Sequence, residues 1–91
     1  MDSRGIILSK VMYERDRQDR LWGSERKYNN AWWNVIASEE NGEVAREVYE
    51  QNEEKLLVEL VQACAVYFAW AEALVQRGVH DSLRGNNEKN G

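Results

Sequence analysis

Three carboxylates crowd into five residues, Glu39-Glu40-Asn41-Gly42-Glu43, and after fifteen further residues come Glu59-Leu60-Val61-Gln62. If both stretches are helical, residues three or four apart share a face, so Glu39, Glu40 and Glu43 fall within about 100° of arc on one helix. Glu59 and Gln62 form a second pair on the next helix. The face holding Glu39 and Glu43 also holds Trp32 and Ile36, with Glu40 between that stripe and one formed by Trp33, Ala37, Val44 and Val48. Asn34, Ser38, Asn41 and Ala45 make up the opposite side. A run of glutamates is most often only a solvated helix face. Here the acids lie on the apolar side, where ionised carboxylates are costly unless a cation meets them, and like charges at this spacing destabilise a helix. Oxygen ligands without histidine or thiolate suit Mg²⁺, with Mn²⁺ as the other option. Di-iron sites in helical bundles use Glu-x-x-His pairs, and no histidine lies near these acids.

The elements that must position these acids follow from periodicity and punctuation. A first helix is expected from about Ser3 to Leu21, ended by Gly23 and Ser24. Its apolar stripe, Ile7, Leu8, Val11 and Met12, continues as Arg15, Gln18, Asp19 and Trp22. Either these last turns emerge into water, or they line a cavity with Trp22 as a stacking surface and Arg15 and Gln18 as hydrogen-bond donors. Residues 23–30 form a polar loop in which Asn29 or Asn30 caps a second helix, from about Ala31 to Gln51. Asn41-Gly42 inside it is a turn signal, and a break at Gly42 is the alternative to a continuous helix. A third helix is expected from about Glu53 to Arg77. It is long enough to span a bilayer, but Glu59, Gln62 and Glu72 interrupt it. With a narrow polar strip at Glu54, Glu72 and Gln76, it is better placed at the centre of a bundle, packed by its own chain and by a partner. The expected fold is therefore all-α, an antiparallel bundle of three helices in one domain (residues 1–78), completed by dimerisation and followed by a flexible tail (79–91). His80 belongs to that tail.

Composition agrees. The chain of 91 residues has no proline and is rich in helix formers. A domain this small buries only about 60 to 65% of its unfolded surface, so self-association would help it. The single Cys64 allows no disulfide framework, and a reducing cytoplasm fits. Met1-Asp2-Ser3-Arg4-Gly5 lacks the apolar core of a signal peptide. The net charge of −4 is unevenly spread: residues 1–28 carry seven Lys/Arg against five Asp/Glu, residues 29–60 two against eight, and residues 61–91 balance. Nucleic acid, which calls for a basic face, is disfavoured as a partner.

Glu39-Glu40-x-x-Glu43, the spacer, and Glu59-x-x-Gln62 resemble the EExxE and ExxD signature of the all-α MazG-type nucleoside triphosphate pyrophosphohydrolases. Glu14-Arg15-Asp16-Arg17-Gln18-Asp19-Arg20-Leu21-Trp22-Gly23 is similar to the RQDxxWG-like segment of small phage-type and mobile-element members. Glu59 through Leu74 looks like their third helix. The resemblance covers about residues 14–77. It implies Mg²⁺-dependent hydrolysis of a (deoxy)nucleoside triphosphate between the α and β phosphates, giving a monophosphate and pyrophosphate, with removal of unwanted nucleotides as the family-level role. It implies Glu40, Glu43 and Glu59 as metal ligands, with Glu39 as a further ligand or the group that orients the attacking water. Trp22, Gln18 and Arg15 would contact base, sugar or phosphate, Arg46 and Lys55 would be further phosphate contacts, and assembly would be a homodimer or a dimer of dimers.

The chain departs from the signature at Gln62, where the motif has an aspartate. A neutral amide is a weaker Mg²⁺ ligand and removes one negative charge. Two alternatives therefore stand beside the enzyme: a non-catalytic protein that binds nucleotide or metal on the same scaffold, and a small helical interaction protein whose aromatics (Trp32 and Trp33, or Tyr67 and Trp70) dock a partner.

Overall fold

The computed structural model describes residues 2–79 and contains three helices: α1 (Ser3–Trp22), α2 (Asn30–Glu50) and α3 (Glu53–Gln76). Among the described residues there is no strand. The fold class is thus all-α, as expected. The expected flexible tail, His80 included, lies outside the described residues except for Val79.

Each helix begins where a short polar side chain replaces a missing backbone partner. Asp2 accepts from the Gly5 N–H at 2.8 Å, Asn29 from Trp32 at 2.8 Å, and Asn52 from Lys55 at 3.0 Å. Glu53 and Glu54 add negative charge to the first turn of α3, where the helix dipole favours it. The first two helices end at residues with positive φ. Gly23 (φ 88°) closes α1, and Gln51 (φ 58°) closes α2 and leaves only Asn52 before α3 begins. That tight turn makes α2 and α3 an antiparallel hairpin.

The Asn41-Gly42 turn signal does not break α2, which runs on through both residues. Trp33 and Ala37, packed against α3 ahead of it, anchor the helix and outweigh the local cost of glycine. A side chain at Gly42 would meet nothing within 4 Å. Gly42→Ala should therefore stabilise the protein by about 0.5–1 kcal/mol, seen as a higher urea midpoint at unchanged slope.

Helix α3 is the centre of the fold, packed by α2 on one side and by α1 on the other. By length and composition it could cross a membrane, yet Val61, Ala63, Ala65, Val66, Ala69 and Ala73 form a buried face against the other two helices. Small residues along this face let the neighbouring backbones approach closely. One core cluster joins Trp33 and Ala37 of α2 to Val66, Ala69 and Ala73, with Tyr28, Ile36 and Trp70 packed around it. A second joins Val11 of α1 to Val61 and Ala65.

Two details of the expected packing are corrected. In α1 only Val11 of the apolar stripe is buried, while Ile7, Leu8 and Met12 stay exposed; the buried residues further along are Glu14, Arg15 and Gln18. Those last turns therefore do not simply emerge into water. In α3, Glu72 of the polar strip is not left to solvent alone, although its side chain is 43% exposed. It is half-buried and accepts two hydrogen bonds from Arg15, from Nε at 3.0 Å and from Nη2 at 2.5 Å, while Arg15 Nη1 reaches Asp19 at 2.9 Å. Burial pulls the Arg15 pKa down, but the hydrogen bonds to Glu72 and Asp19 outweigh it and the guanidinium titrates above its ordinary range. A charged cross-link thus ties α1 to α3.

Candidate functional site

The hairpin dictates how the acidic residues meet. Glu43 and Glu59 each stand eight residues from Gln51, so an antiparallel pairing about that residue sets them side by side; by the same symmetry Glu40 comes opposite Gln62. Both are helical positions on rigid elements rather than on loops. The spacer is the length that a tight turn needs to bring the two halves of the motif into register.

Glu40, Glu43 and Glu59 each place a carboxylate oxygen within 4.8 Å of the others, and all three are half-buried. Glu40 Oε2 and Glu59 Oε2 are buried atoms with no hydrogen-bond partner. Charge confined in this way resists ionisation. Burial, then hydrogen bonding with Glu43 and repulsion from Glu43, Glu40 and Glu47, pushes the Glu59 carboxyl up to about 7. Burial raises Glu40 as well, reinforced by Glu43, Glu14 and Glu39 and partly offset by Arg17. The unpartnered oxygens and the oxygen-only donor set fit a hard divalent cation.

The raised pKa has a consequence for the metal-free protein. Because Glu59 binds its proton more tightly folded than unfolded, its contribution to stability is fully present below the ordinary carboxyl value. It is lost as pH rises through about 7. The melting temperature in chelator should therefore fall between pH 5 and pH 8, and Glu59→Gln should flatten that slope. An unchanged slope in the variant would show that Glu59 is not the group responsible.

Beside the trio lies a cavity of about 290 Å³, with Glu39, Glu40 and Gln62 at one end and Trp22, Tyr28 and Trp32 among its walls. Gln18 of α1 is 3% exposed and also lines it. Of the residues singled out from the sequence, Gln18, Trp22, Glu39, Glu40 and Gln62 come together here, and Glu43 and Glu59 adjoin through the trio. Glu39 lies on the rim and is exposed, because the buried face of α2 is centred on Trp33, Ala37 and Glu47 rather than on Trp32 and Glu39.

Three residues are placed elsewhere. Arg15 lies behind the cavity wall in its ion pairs with Glu72 and Asp19. Arg46 is largely exposed, 3.7 Å from Glu47, and Lys55 sits exposed in the first turn of α3. None of the three lines the cavity.

Several site residues escaped the sequence reasoning. Glu47 is 4% exposed with Oε2 unpartnered, and it adds to the repulsion on Glu59. Its spacing of four from Glu43 was a visible signal of a shared face. Glu14 is buried at the edge of the cavity with its charge held by Arg17, through Nη2–Oε1 at 2.6 Å and Nε–Oε2 at 2.9 Å. Arg26 and Tyr28 come from the loop between α1 and α2, where no periodicity marks a direction.

Comparison with protein-family models, curated proteins and solved structures finds no match for this chain. Fold and site by themselves define a class: a small all-α protein with a cluster of carboxylates from two helices beside an aromatic-walled cavity.

Proposed function

We propose that the chain is a Mg²⁺-dependent nucleoside triphosphate pyrophosphohydrolase of the MazG type, converting a (d)NTP to the (d)NMP and pyrophosphate. The observation that carries this reading is the convergence of Glu40, Glu43 and Glu59, with unpartnered buried oxygens, beside a cavity walled by aromatic rings. The acids would hold Mg²⁺ or Mn²⁺, with Gln62 as a weak neutral neighbour. When bound, the ion neutralises phosphate charge and makes water acidic enough to attack at neutral pH. Glu39, at the cavity rim, would orient the attacking water and accept its proton. Trp22 and Trp32 would stack on the base.

Exposed apolar residues support self-association, as a homodimer or a dimer of dimers. Ile6, Ile7 and Met12 of α1 and Leu57, Val58 and Leu60 of α3 are between 37% and 53% exposed, an amount of apolar surface that a second copy would cover. The chain would work in the cytoplasm on free nucleotides, as house-cleaning.

Gln62 in place of the motif's aspartate favours one second reading, a nucleotide-binding protein without turnover. Mg²⁺-dependent pyrophosphate release across a panel of dNTPs and NTPs separates the two. Release that needs the divalent ion supports the enzyme; metal binding without release supports the second reading.

A further inference from the structure

A second cavity, of about 410 Å³, opens between the α1–α2 loop and the C-terminal end of α3. Its walls carry Arg26, Lys27 and Arg77 against a single acid, Glu25, a local balance of +2 in a chain whose net charge is −4. None of these three cations has an ion pair among the described residues, where the pairs are made by Arg15, Arg17 and Arg46. Glu72, the next acid along α3, is already engaged by Arg15. The cations of this cavity therefore repel one another with little to offset them.

Two of the three are held in place. Arg26 is half-buried, with its guanidinium 5.7 Å from the centre of the Trp22 ring and 5.0 Å from that of Trp33. Burial and the repulsion of Arg15 keep its pKa below the ordinary arginine range, as fits a cation short of a counter-charge. Arg77 reaches across from the end of α3 and donates from Nη2 to Asn30 Oδ1, at 3.1 Å, at the start of α2. That bond uses one of the five N–H donors of its guanidinium, and stacking on an indole uses none of those of Arg26.

We propose that this cavity binds the dianionic phosphate group of a small molecule, gripped by Arg26 and Arg77 with Lys27 as a further point charge. Guanidinium forks match phosphate oxygens in pairs, and a dianion balances the local +2, where a carboxylate would leave half of it unmatched. The volume falls within the range of small-molecule sites, about 300–1,000 Å³. Tyr28 and Ala73 give it an apolar wall for an organic group beside the phosphate. None of Glu40, Glu43 and Glu59 lines this cavity, so it is distinct from the carboxylate centre. Arg26 and Tyr28 line both this cavity and the aromatic one, which puts a phosphate held here in touch with the aromatic walls and not with the acids.

The test is calorimetric titration of the metal-free full chain at pH 8 and constant ionic strength with inorganic phosphate, glycerol 3-phosphate, acetate and chloride. Circular dichroism confirms the fold of each variant. Phosphate or its ester should bind saturably and at least about tenfold more tightly than acetate, and chloride should not bind. Lys27→Gln combined with Arg77→Gln should weaken phosphate binding at least about tenfold. Both side chains are exposed, so this pair carries the test even where Arg26→Gln, which should also weaken binding, disturbs the packing against Trp33. Arg4→Gln, which removes an exposed cation in the first turn of α1, should leave binding unchanged. Tighter binding of glycerol 3-phosphate than of phosphate assigns the site to a phosphate monoester and the reverse assigns it to the free ion; both support it. No saturable binding of either, acetate bound as tightly, binding that survives in the double variant, or an equal loss in Arg4→Gln would overturn the proposal. The readout needs neither metal nor turnover, so it stands or falls separately from the hydrolase reading.

Discussion

Glu43→Gln is expected to reduce Mg²⁺-dependent pyrophosphate release by at least about 100-fold, the upper end of what the loss of even an outer-shell partner costs a metal site. Glu43 is central because it sits between Glu40, one turn away on α2, and Glu59, across the hairpin. The stability of the variant should move the other way. Without divalent ion, removing one of three crowded carboxylates relieves repulsion, so the variant should melt no lower than the parent. The rise in melting temperature that Mg²⁺ confers on the parent by binding the native state should disappear. A variant that keeps both its turnover and its Mg²⁺ response would remove the carboxylate trio from the mechanism. Loss of turnover with a collapsed melting temperature would instead make Glu43 a folding residue.

Trp33→Ala should cost about 3–5 kcal/mol, the range for deleting a large aromatic from a packed core. Trp33 is 1% exposed and is the largest fully buried side chain among the described residues. It packs against Ala37, Val66, Ala69 and Ala73, takes the edge of Tyr28 with ring centres 5.2 Å apart, and carries Arg26 over its face. The alanines that line the opposite helix are too short to fill the space left behind. For a domain of this size the loss is on the order of 20 °C in melting temperature, enough to leave little folded protein at 37 °C. Trp33→Phe, which keeps most of the volume, should cost far less. A drop of under 1 kcal/mol for the alanine variant, measured by urea unfolding, would contradict the packing described.

Helix α2 and helix α3 were legible from residue order because their signals are local, a capping asparagine before α2 and apolar residues at helical spacing, whereas the Asn52 cap and the left-handed Gln51 that make the turn between them tight are seen only in the structure. The antiparallel hairpin follows from the shortness of that turn. It makes the meeting of Glu40, Glu43 and Glu59 a matter of counting outward from Gln51, and periodicity alone puts these acids on the inner side of their helices. Gln18 and Trp22 were legible too, as polar and aromatic residues continuing an apolar stripe, although the stripe alone left open whether they met water or a cavity.

Residue order could not assign the cations, because a long flexible side chain is aimed by its partners rather than by its helix position. Arg15 shares a stripe with Gln18, yet Glu72, fifty-seven residues away, draws it into an ion pair. Arg46 and Lys55 have the charge a phosphate needs but face solvent, and Arg26 reaches the cavity from a loop that has no period to follow. Local spacing therefore determined the three helices and the carboxylates that rigid turns hold in register. Only tertiary packing decided which charges were neutralised inside the protein and which stayed free to meet a ligand, since that balance depends on contacts between α1, α3 and the connecting loop that no single helix encodes.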